Sequence, residues 1–256
     1  MRITLSTKQD TNEEYHSHKS ISASGLKMIY KKSVKHYLTA KFTESPAMAL
    51  GTAVHTIMLE GQKQFDKDYY LMPKYDGRTK EGKQIKAKHE KLAGDRKQLR
   101  DTDMDIISGI MQNLRQHDLA QKYCTGTVEL SHYGKMNGIP IRVRPDVFGD
   151  NWIGDVKTCQ DNSPVAFRRD LYKYAYHLQA CFYSDVLGFP PENFRFVAVE
   201  TNYPYSVEVY ALDDDMIAQG RQAYKKALSD WGFYLSTGIE KGYQAAGYMD
   251  DGALIL

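Results

Sequence analysis

The chain has 256 residues, of which 42% are hydrophobic and 26% are charged, and its formal net charge is +2. This length fits one sizeable domain with a substantial core, and the small net charge requires any nucleic-acid surface to concentrate its basic residues locally. The three cysteines are odd in number and widely spaced, which argues against a disulfide framework and against a zinc or iron–sulfur cluster. No apolar run is long enough to cross a bilayer and the amino terminus lacks a signal-peptide core, so we expect a cytoplasmic protein without membrane contact.

The first half of the chain is predicted to be mostly helical. Residues 1–20 are polar and are expected to form an irregular, flexible N-terminal segment. The helix predicted over Ala47–Leu59 is apolar nearly all round and should therefore be buried. The predicted elements are, in chain order, a helix from Ser22 or Ser24 to about Phe42, a helix opened by Ser45-Pro46 over Ala47–Leu59, a strand at Tyr69–Met72, a solvated helix with flexible ends or partial disorder in residues 74–100, and a helical stretch over residues 102–122.

The second half alternates between strands and helices. A glycine-rich tail begins at Thr237, so the predicted organisation is a segment 1–20, one domain 21–236 and a tail 237–256. This order indicates a single α/β domain with a mixed sheet. The predicted elements are strands at Thr127–Tyr133, Ile141–Phe148 and Trp152–Thr158, a helical region Pro164–Leu187 with a break near Tyr174, strands at Phe194–Glu200 and Ser206–Leu212, and a closing helix Asp213–Ser236.

Two acids and a lysine fall on one predicted hairpin. The strand Ile141–Phe148 carries Asp146, and after the turn Gly149–Asn151 the next strand carries Asp155 and Lys157. Side chains at i and i+2 of a strand point to the same face, and the hairpin partner can place Asp146 beside them. Carboxylate oxygens suit a hard divalent cation such as Mg²⁺, and a nearby lysine can orient water or stabilise charge on a phosphate. The pattern predicts a metal-dependent site that acts on a phosphodiester.

The alternative is a surface hairpin on which Asp155 and Lys157 form a weak ion pair. The run Trp152–Thr158 argues against it, because an acid and a lysine interrupt an apolar, β-prone segment in which buried charge is costly.

Other polar residues are candidates to support this site. His55 is the only potential ligand within its apolar helix, and the alternative is a core histidine that contacts a backbone carbonyl. Glu129 lies between Val128 and Leu130, so its carboxylate is expected either near the same metal or on the solvent face.

The aromatic segment around residues 172–183 carries Gln179 and Tyr183, four residues apart and on one helical face. Such aromatic density is more often packing, although a Gln and a Tyr beside a metal site suit contacts to a terminal phosphate or the scissile strand. The preceding turn offers donors for phosphate contacts. These are Arg168, Arg169 and Lys173, whereas Lys27, Lys31, Lys32 and Lys35 line one side of the first helix, where the expectation is a solvated face.

These motifs together resemble the PD-(D/E)xK nuclease superfamily and, more narrowly, the exonuclease VIII (RecE-type) catalytic domain, with lambda-type exonuclease and RecB-type nuclease domains as relatives. The resemblance covers roughly residues 20–210, and the motifs occur in the expected order and spacing. The segments that carry it are Ile21–Lys27, Gly51–His55, Arg144–Asp146, Asp155–Lys157 and Tyr176–Asp185.

The resemblance implies a restriction-endonuclease-like core in which a central mixed sheet is flanked by helices. It implies a Mg²⁺-dependent exonuclease, with Mn²⁺ as a substitute, that degrades one strand of linear duplex DNA 5′ to 3′. The remaining 3′ single strand would serve a strand-annealing partner protein, and relatives assemble as rings. The implied roles are metal ligands at His55, Glu129, Asp146, Asp155 and the Val156 carbonyl, a catalytic lysine at Lys157, and the motif after the core at Gln179 and Tyr183.

Two other functions stay open. A structure-specific or restriction-type endonuclease of the same superfamily would need a target-recognition domain, for which the chain has no spare residues. A non-catalytic module that binds DNA ends would have lost an acid or the lysine, but Asp146, Asp155 and Lys157 are all present.

Overall fold

The computed structural model describes residues 3–41, 43–243, 247–248 and 254–255. Many of the helices begin at a side-chain cap that the sequence supplies, such as Ser22, Ser45 and Asp213. The helices in this part of the chain are α1 Asn12–Ser17, α2 Ala23–Lys31, α3 Val34–Thr39, α4 Pro46–His55, α5 Gln62–Asp68, α6 Lys80–Ala93, α7 Asp101–Leu114, α8 Asp118–Lys122, α9 Pro164–Lys173, α10 Tyr176–Leu187 and α11 Asp214–Thr237, with a π-helical turn at Thr56–Glu60 and a 3₁₀ turn at Pro191–Asn193.

Within the described residues, the strands form one large sheet and three small ones. Their bounds are β1 Ser6–Lys8, β2 Tyr69–Leu71, β3 Lys97–Leu99, β4 Thr127–Val128, β5 Ser131–Met136, β6 Ile139–Val143, β7 Val147–Phe148, β8 Ile153–Cys159, β9 Phe194–Glu200, β10 Val207–Tyr210, β11 Gly247–Tyr248 and β12 Leu254–Ile255.

The large sheet has the strand order β10-β9-β8-β7-β4. The β8–β9 pair is parallel, and the other three pairs are antiparallel. Helices α9 and α10 form the connection between the two parallel strands, as parallel pairing requires. The prediction of an α/β domain with a mixed sheet flanked by helices is confirmed.

Alternating side chains on the central strands pack into two separate hydrophobic cores, one on each face of the sheet. On β9, Phe196 and Ala198 join the core of α2, α9, α10 and α11, whereas Val197 and Val199 join the core of α4, α5, α7 and α8. On β8, Ile153 faces the first core and Val156 the second. Asp155 is two residues from Ile153 and therefore faces α10 from within the sheet.

Two strands that the sequence predicts as continuous are broken, and each break is a change of sheet. Thr127–Tyr133 divides into β4 and β5, and Ile141–Phe148 divides into β6 and β7. The strands β1, β5 and β6 form a separate sheet. Glu129 adopts a left-handed φ of 51°, which bends the chain, and Pro145 has no N–H for a ladder bond, so the two predictions of unbroken strands are wrong.

The N-terminal region is more ordered than its composition suggests. Residues 1–20 were expected to be irregular, yet β1 pairs with β5 and α1 begins with a capping box formed by Thr11 and Glu14. The predicted helix to about Phe42 is two helices, because Ser33 accepts a hydrogen bond from the His36 N–H at 3.3 Å and starts α3. Phe42 itself lies outside the described residues.

The predicted helix Ala47–Leu59 is buried only in its second half. Met48 in its first half is 46% exposed, whereas Ala53 and Val54 are buried against the sheet. The helix also changes to π-helical geometry after His55. The expectation of burial along its whole length is therefore wrong, since only the turns from Gly51 onward approach β8.

The helical stretch predicted over residues 102–122 is two helices, α7 and α8, because the His117 ring accepts a hydrogen bond from the Ala120 N–H at 3.2 Å and starts α8. The other predicted elements agree with the structure to within a few residues at their ends. The break in the region Pro164–Leu187 falls at Ala175, between α9 and α10. Residues 74–100 do contain a helix, α6, but their end also forms β3, which pairs in parallel with β2 and was not predicted. None of the helices that the structure describes is long and apolar enough to span a membrane.

Candidate active site

The candidate site begins where the chain bends between β4 and β5 and between β6 and β7. These two bends lie opposite each other. The backbone N–H of Glu129 donates to the carbonyl of Asp146 at 3.1 Å. The Asp146 carboxylate in turn accepts a hydrogen bond from the backbone N–H of Val156 at 2.8 Å. These two contacts fix both acids against the central strand β8.

Helix α4 brings a histidine to the same place. A Cβ atom added to Gly51 would lie 3.0 Å from the Thr158 hydroxyl, so the glycine permits close approach of the helix to β8. His55 is four residues later and shares that face. Its Nε2 lies 2.8 Å from the Val156 carbonyl oxygen, and its Nδ1 lies 3.5 Å from Asp146 Oδ2.

Both nitrogens of the His55 ring therefore face oxygen acceptors. A neutral imidazole has a single N–H and can satisfy only one of them. The contact with a backbone carbonyl is the one expected of a core histidine, but the second nitrogen points to a carboxylate. The π-helical turn that follows His55 is a feature often found at functional sites.

His55, Glu129 and Asp146 form a group that could hold a metal ion. One ligand atom from each lies within 4.8 Å of the other two. Burial, together with the charge of Asp146, raises the pKa of Glu129 to about 8, and the ion pair with Arg144 Nε at 2.7 Å opposes this rise only in part. Two carboxylates and an imidazole with too little positive charge nearby are suited to a divalent cation, which would offset that repulsion.

Asp155 and Lys157 lie side by side on β8, as the sequence predicts. Asp155 is fully buried; its Oδ1 accepts from Gln179 Nε2 at 2.7 Å, and its Oδ2 pairs with Lys157 Nζ. Burial raises the pKa of Asp155, and the Lys157 charge opposes that rise. Burial lowers the pKa of Lys157, but the charges of Asp155 and Asp146 outweigh it, and the net pKa lies above its ordinary value.

This geometry divides the predicted metal ligands into two parts. His55, Glu129, Asp146 and the Val156 carbonyl surround one space, whereas both carboxylate oxygens of Asp155 already contact other side chains. The sequence predicts Glu129 within a regular strand. In the structure it reaches this space from the bend that its left-handed φ produces.

Lys27 lies at the site, although the sequence predicts it on a solvated helix face. Its ammonium donates to Gln179 Oε1 and lies 5.1 Å from the centre of the Tyr176 ring. Burial, followed by the charge of Lys157, lowers the pKa of Lys27 to about 7. The one available signal was its position in the segment Ile21–Lys27, which belongs to the motif set.

Tyr183 is buried on α10, one turn after Gln179. Burial, with smaller contributions from Tyr15 and the acids of the site, raises its pKa well above the ordinary value. The predicted phosphate-binding residues Arg168, Arg169 and Lys173 are exposed on α9. The Arg168 guanidinium forms an ion pair with Asp213 at 3.1 Å and not with the acids of the site.

Comparisons with known proteins agree with this arrangement. A family model described as "PDDEXK-like domain of unknown function (DUF3799)" matches residues 22–236. A solved structure from Eubacterium rectale, described as a "putative exonuclease", superposes with a TM-score of 0.62 at 15% identity and covers 92% of this chain and 90% of its own. No curated protein matches the chain significantly. The prediction of a restriction-endonuclease-like core of the PD-(D/E)xK superfamily is confirmed.

The raised pKa of Glu129 predicts a pH dependence of stability. Between its ordinary pKa of 4.5 and about 8 the folded carboxyl keeps a proton that the unfolded chain has lost. Glu129 should therefore make the folded state less stable as pH rises through this window. In chelator, the free energy of unfolding of the wild type minus that of Glu129→Gln, measured with urea, should fall from pH 4.5 to 8.

Addition of Mn²⁺ at pH 8 should stabilise the wild type more than Glu129→Gln, because a bound cation replaces the proton as the partner of the carboxylate. Asp150→Asn, at an exposed acid of the β7–β8 turn, is the matched control. If the free energy of unfolding of the wild type minus that of Glu129→Gln does not vary with pH, the raised pKa of Glu129 is contradicted.

Proposed function

The chain belongs to the family of PDDEXK-like domains whose model spans residues 22–236, and on this basis we propose that it is a divalent-metal-dependent nuclease that hydrolyses DNA from an end. The observation that carries the proposal is the meeting of Asp146, Asp155 and Lys157 at β8, with His55 and Glu129 beside them. A charged group of this density is costly to bury unless it has a function.

The residues present fit a hard divalent cation. The donor set has two carboxylates, one backbone carbonyl and one imidazole, and carboxylate and carbonyl oxygens are the ligands that Mg²⁺ and Mn²⁺ accept. The ligands would be His55, Glu129, Asp146 and the Val156 carbonyl. The cation supplies charge neutralisation at the scissile phosphate and lowers the pKa of an attacking water.

The protein's own side chains then supply position and charge. Burial lowers the pKa of Lys157, but the charges of Asp155 and Asp146 raise it above its ordinary value, which favours the charged ammonium. In that form the side chain can stabilise charge on the phosphate and orient a water. Gln179 holds Asp155 through its amide N–H, while Lys27 holds the amide oxygen of the same side chain. The Gln179 amide is thereby held at both ends, by the Asp155 carboxylate at its N–H and by the Lys27 amine at its oxygen.

The proposed reaction is removal of one strand of linear duplex DNA in the 5′ to 3′ direction, which leaves a 3′ overhang for a strand-annealing protein. The resemblance of the motifs to the exonuclease VIII branch supports it. The description of the Eubacterium rectale protein as an exonuclease agrees, although 15% identity establishes only a shared fold. A ring-shaped homo-oligomer belongs to the same proposal, because a central channel would restrict the enzyme to ends.

We expect Asp146→Ala, Asp155→Ala and Lys157→Ala each to lower the rate of hydrolysis by about 100-fold or more. Lys157→Ala should retain Mn²⁺ and DNA binding, since it removes a charge stabiliser and leaves the ligands in place. Quantitative gel assays and calorimetric metal titration measure the two effects. Lys83→Ala, at an exposed lysine of α6, is the control; near-normal turnover of Lys157→Ala would refute the assigned role.

Substrate geometry tests the direction and the end requirement. Linear duplexes labelled at the 5′ or the 3′ end should release the 5′ label first, and closed circles should be spared. Excess chelator should stop the release of either label, because the metal is required. Nicking of closed circles would favour an endonuclease. DNA-end binding without hydrolysis would favour the non-catalytic module.

The proposed phosphate contacts of α9 predict a salt effect. Each phosphate contact releases condensed counterions, so its loss should lower the slope of log affinity against log salt by about one unit. Arg169→Ala is the informative variant, because Arg168→Ala would also break the ion pair with Asp213. An unchanged slope in a series of filter-binding assays would remove Arg169 from the DNA path.

A further inference from the structure

Two tyrosines at the junction of α9 and α10 are stacked next to the catalytic lysine. The rings of Tyr174 and Tyr176 have centroids 5.5 Å apart and an interplanar angle of 29°. Lys157 Nζ lies 4.9 Å from the centre of the Tyr176 ring. The stack therefore runs from the surface of the protein to the residue that would stabilise the scissile phosphate.

The stacking of the two rings requires a strained backbone between them. Residues i and i+2 of a continuous helix point in nearly opposite directions and could not stack. Ala175, between the two tyrosines, is fully buried and adopts a left-handed φ of 51°, which a non-glycine residue rarely does. Strained residues of this kind concentrate at functional sites, and here the strained residue is what brings the two rings together.

The two rings differ in exposure. Tyr176 packs against Phe167 and Phe196 of the core, at 6.4 and 6.0 Å between centroids, and so gives the stack a rigid base. Tyr174 is 41% exposed. The ammonium groups of the exposed Lys31 and Lys173 lie 6.0 and 4.9 Å from the centre of its ring. The Lys31 ammonium also donates to the backbone carbonyl of Lys173, which holds it beside the ring. The Lys173 side chain can exchange its ring contact for a phosphate next to a base stacked on the ring.

We propose that Tyr174, supported by Tyr176, is a stacking subsite for an unpaired base of the DNA strand that is being hydrolysed. An aromatic face with flanking cations is the arrangement by which proteins bind single-stranded nucleic acid without regard to sequence. A base inside a duplex has both faces covered by its neighbours, so the Tyr174 ring can stack on a base of this strand only where a neighbour has been lost, and we assign an unpaired nucleotide as the occupant. The assignment rests on the proposed nuclease function and adds to it a binding site for the base beside the reacting phosphate.

Binding to a hydrolysis-deficient protein tests the subsite without catalysis. In the Lys157→Ala background, Tyr174→Leu should weaken binding of a short single-stranded oligonucleotide by about 5- to 150-fold, the range for loss of one base–aromatic stack. Tyr174→Phe should bind as tightly as its parent, because the ring is kept. Tyr172→Leu, at an exposed tyrosine two residues away, is the matched control, and thermal melts establish that each variant is folded.

A thermodynamic cycle locates the occupant. Oligonucleotides with a single abasic site, moved through the first few nucleotides from each end, should include one position at which the abasic strand loses the same affinity as Tyr174→Leu on intact DNA. The two changes together should cause no further loss. Equal binding by Tyr174→Leu and its parent would overturn the proposal, as would a loss that no abasic position shares.

The two hypotheses fail in different measurements. Absence of metal-dependent hydrolysis by the wild type would refute the nuclease while the cycle still reports on stacking. Normal hydrolysis with no coupling in the cycle would refute the subsite alone.

Discussion

The site depends on one constraint, which is that two neighbouring strands leave the large sheet at the same level. The breaks at Glu129 and at Pro145-Asp146 are joined by a backbone hydrogen bond of 3.1 Å, so neither can move along the chain without the other. This places two acids against β8 at a point where regular strands would have sent their side chains to alternate faces. The position of His55 follows from the same point, because the Val156 carbonyl that it contacts belongs to the residue whose N–H holds Asp146.

The charges around β8 are compensated unequally on its two sides. Toward α10, Gln179 is hydrogen-bonded to both Lys27 and Asp155, and the second carboxylate oxygen of Asp155 forms an ion pair with Lys157. The charges on that side are therefore largely compensated without a bound cation. Around Glu129 and Asp146, Arg144 compensates only in part, and the pKa of Glu129 is raised accordingly. A half-buried acidic pair in this condition either keeps a proton or binds a cation, which is why the second side is suited to a metal and the first to the positioning of side chains.

The sequence predicted much of this, for identifiable reasons. Asp155 and Lys157 were placed on one face because the period of a strand is two, and Ser45, Pro46 and Asp213 marked helix starts because their side chains or rings suit the first turn. The errors share a cause. Glu129 reads as part of a strand because its neighbours are β-prone, and no local pattern reveals a left-handed φ that a contact with a distant residue stabilises. Lys27 reads as solvated because a lysine on a helix surface usually is, and only the packing of α2 against α10 partly buries it.

The sequence by itself determined the identities and local spacings of the reactive groups and the alternation of strands and helices that makes an α/β domain. Propensity, capping and periodicity act over a few residues and are written in the chain. The tertiary structure alone decided which groups meet: that Gln179 bridges Lys27 and Asp155, that His55 faces Val156, and that Tyr174 and Tyr176 stack across a strained alanine. These contacts join residues from separate elements or depend on a backbone conformation unfavourable in isolation. Their energies come from burial and compensation of charge in the folded state, which no short segment of sequence contains.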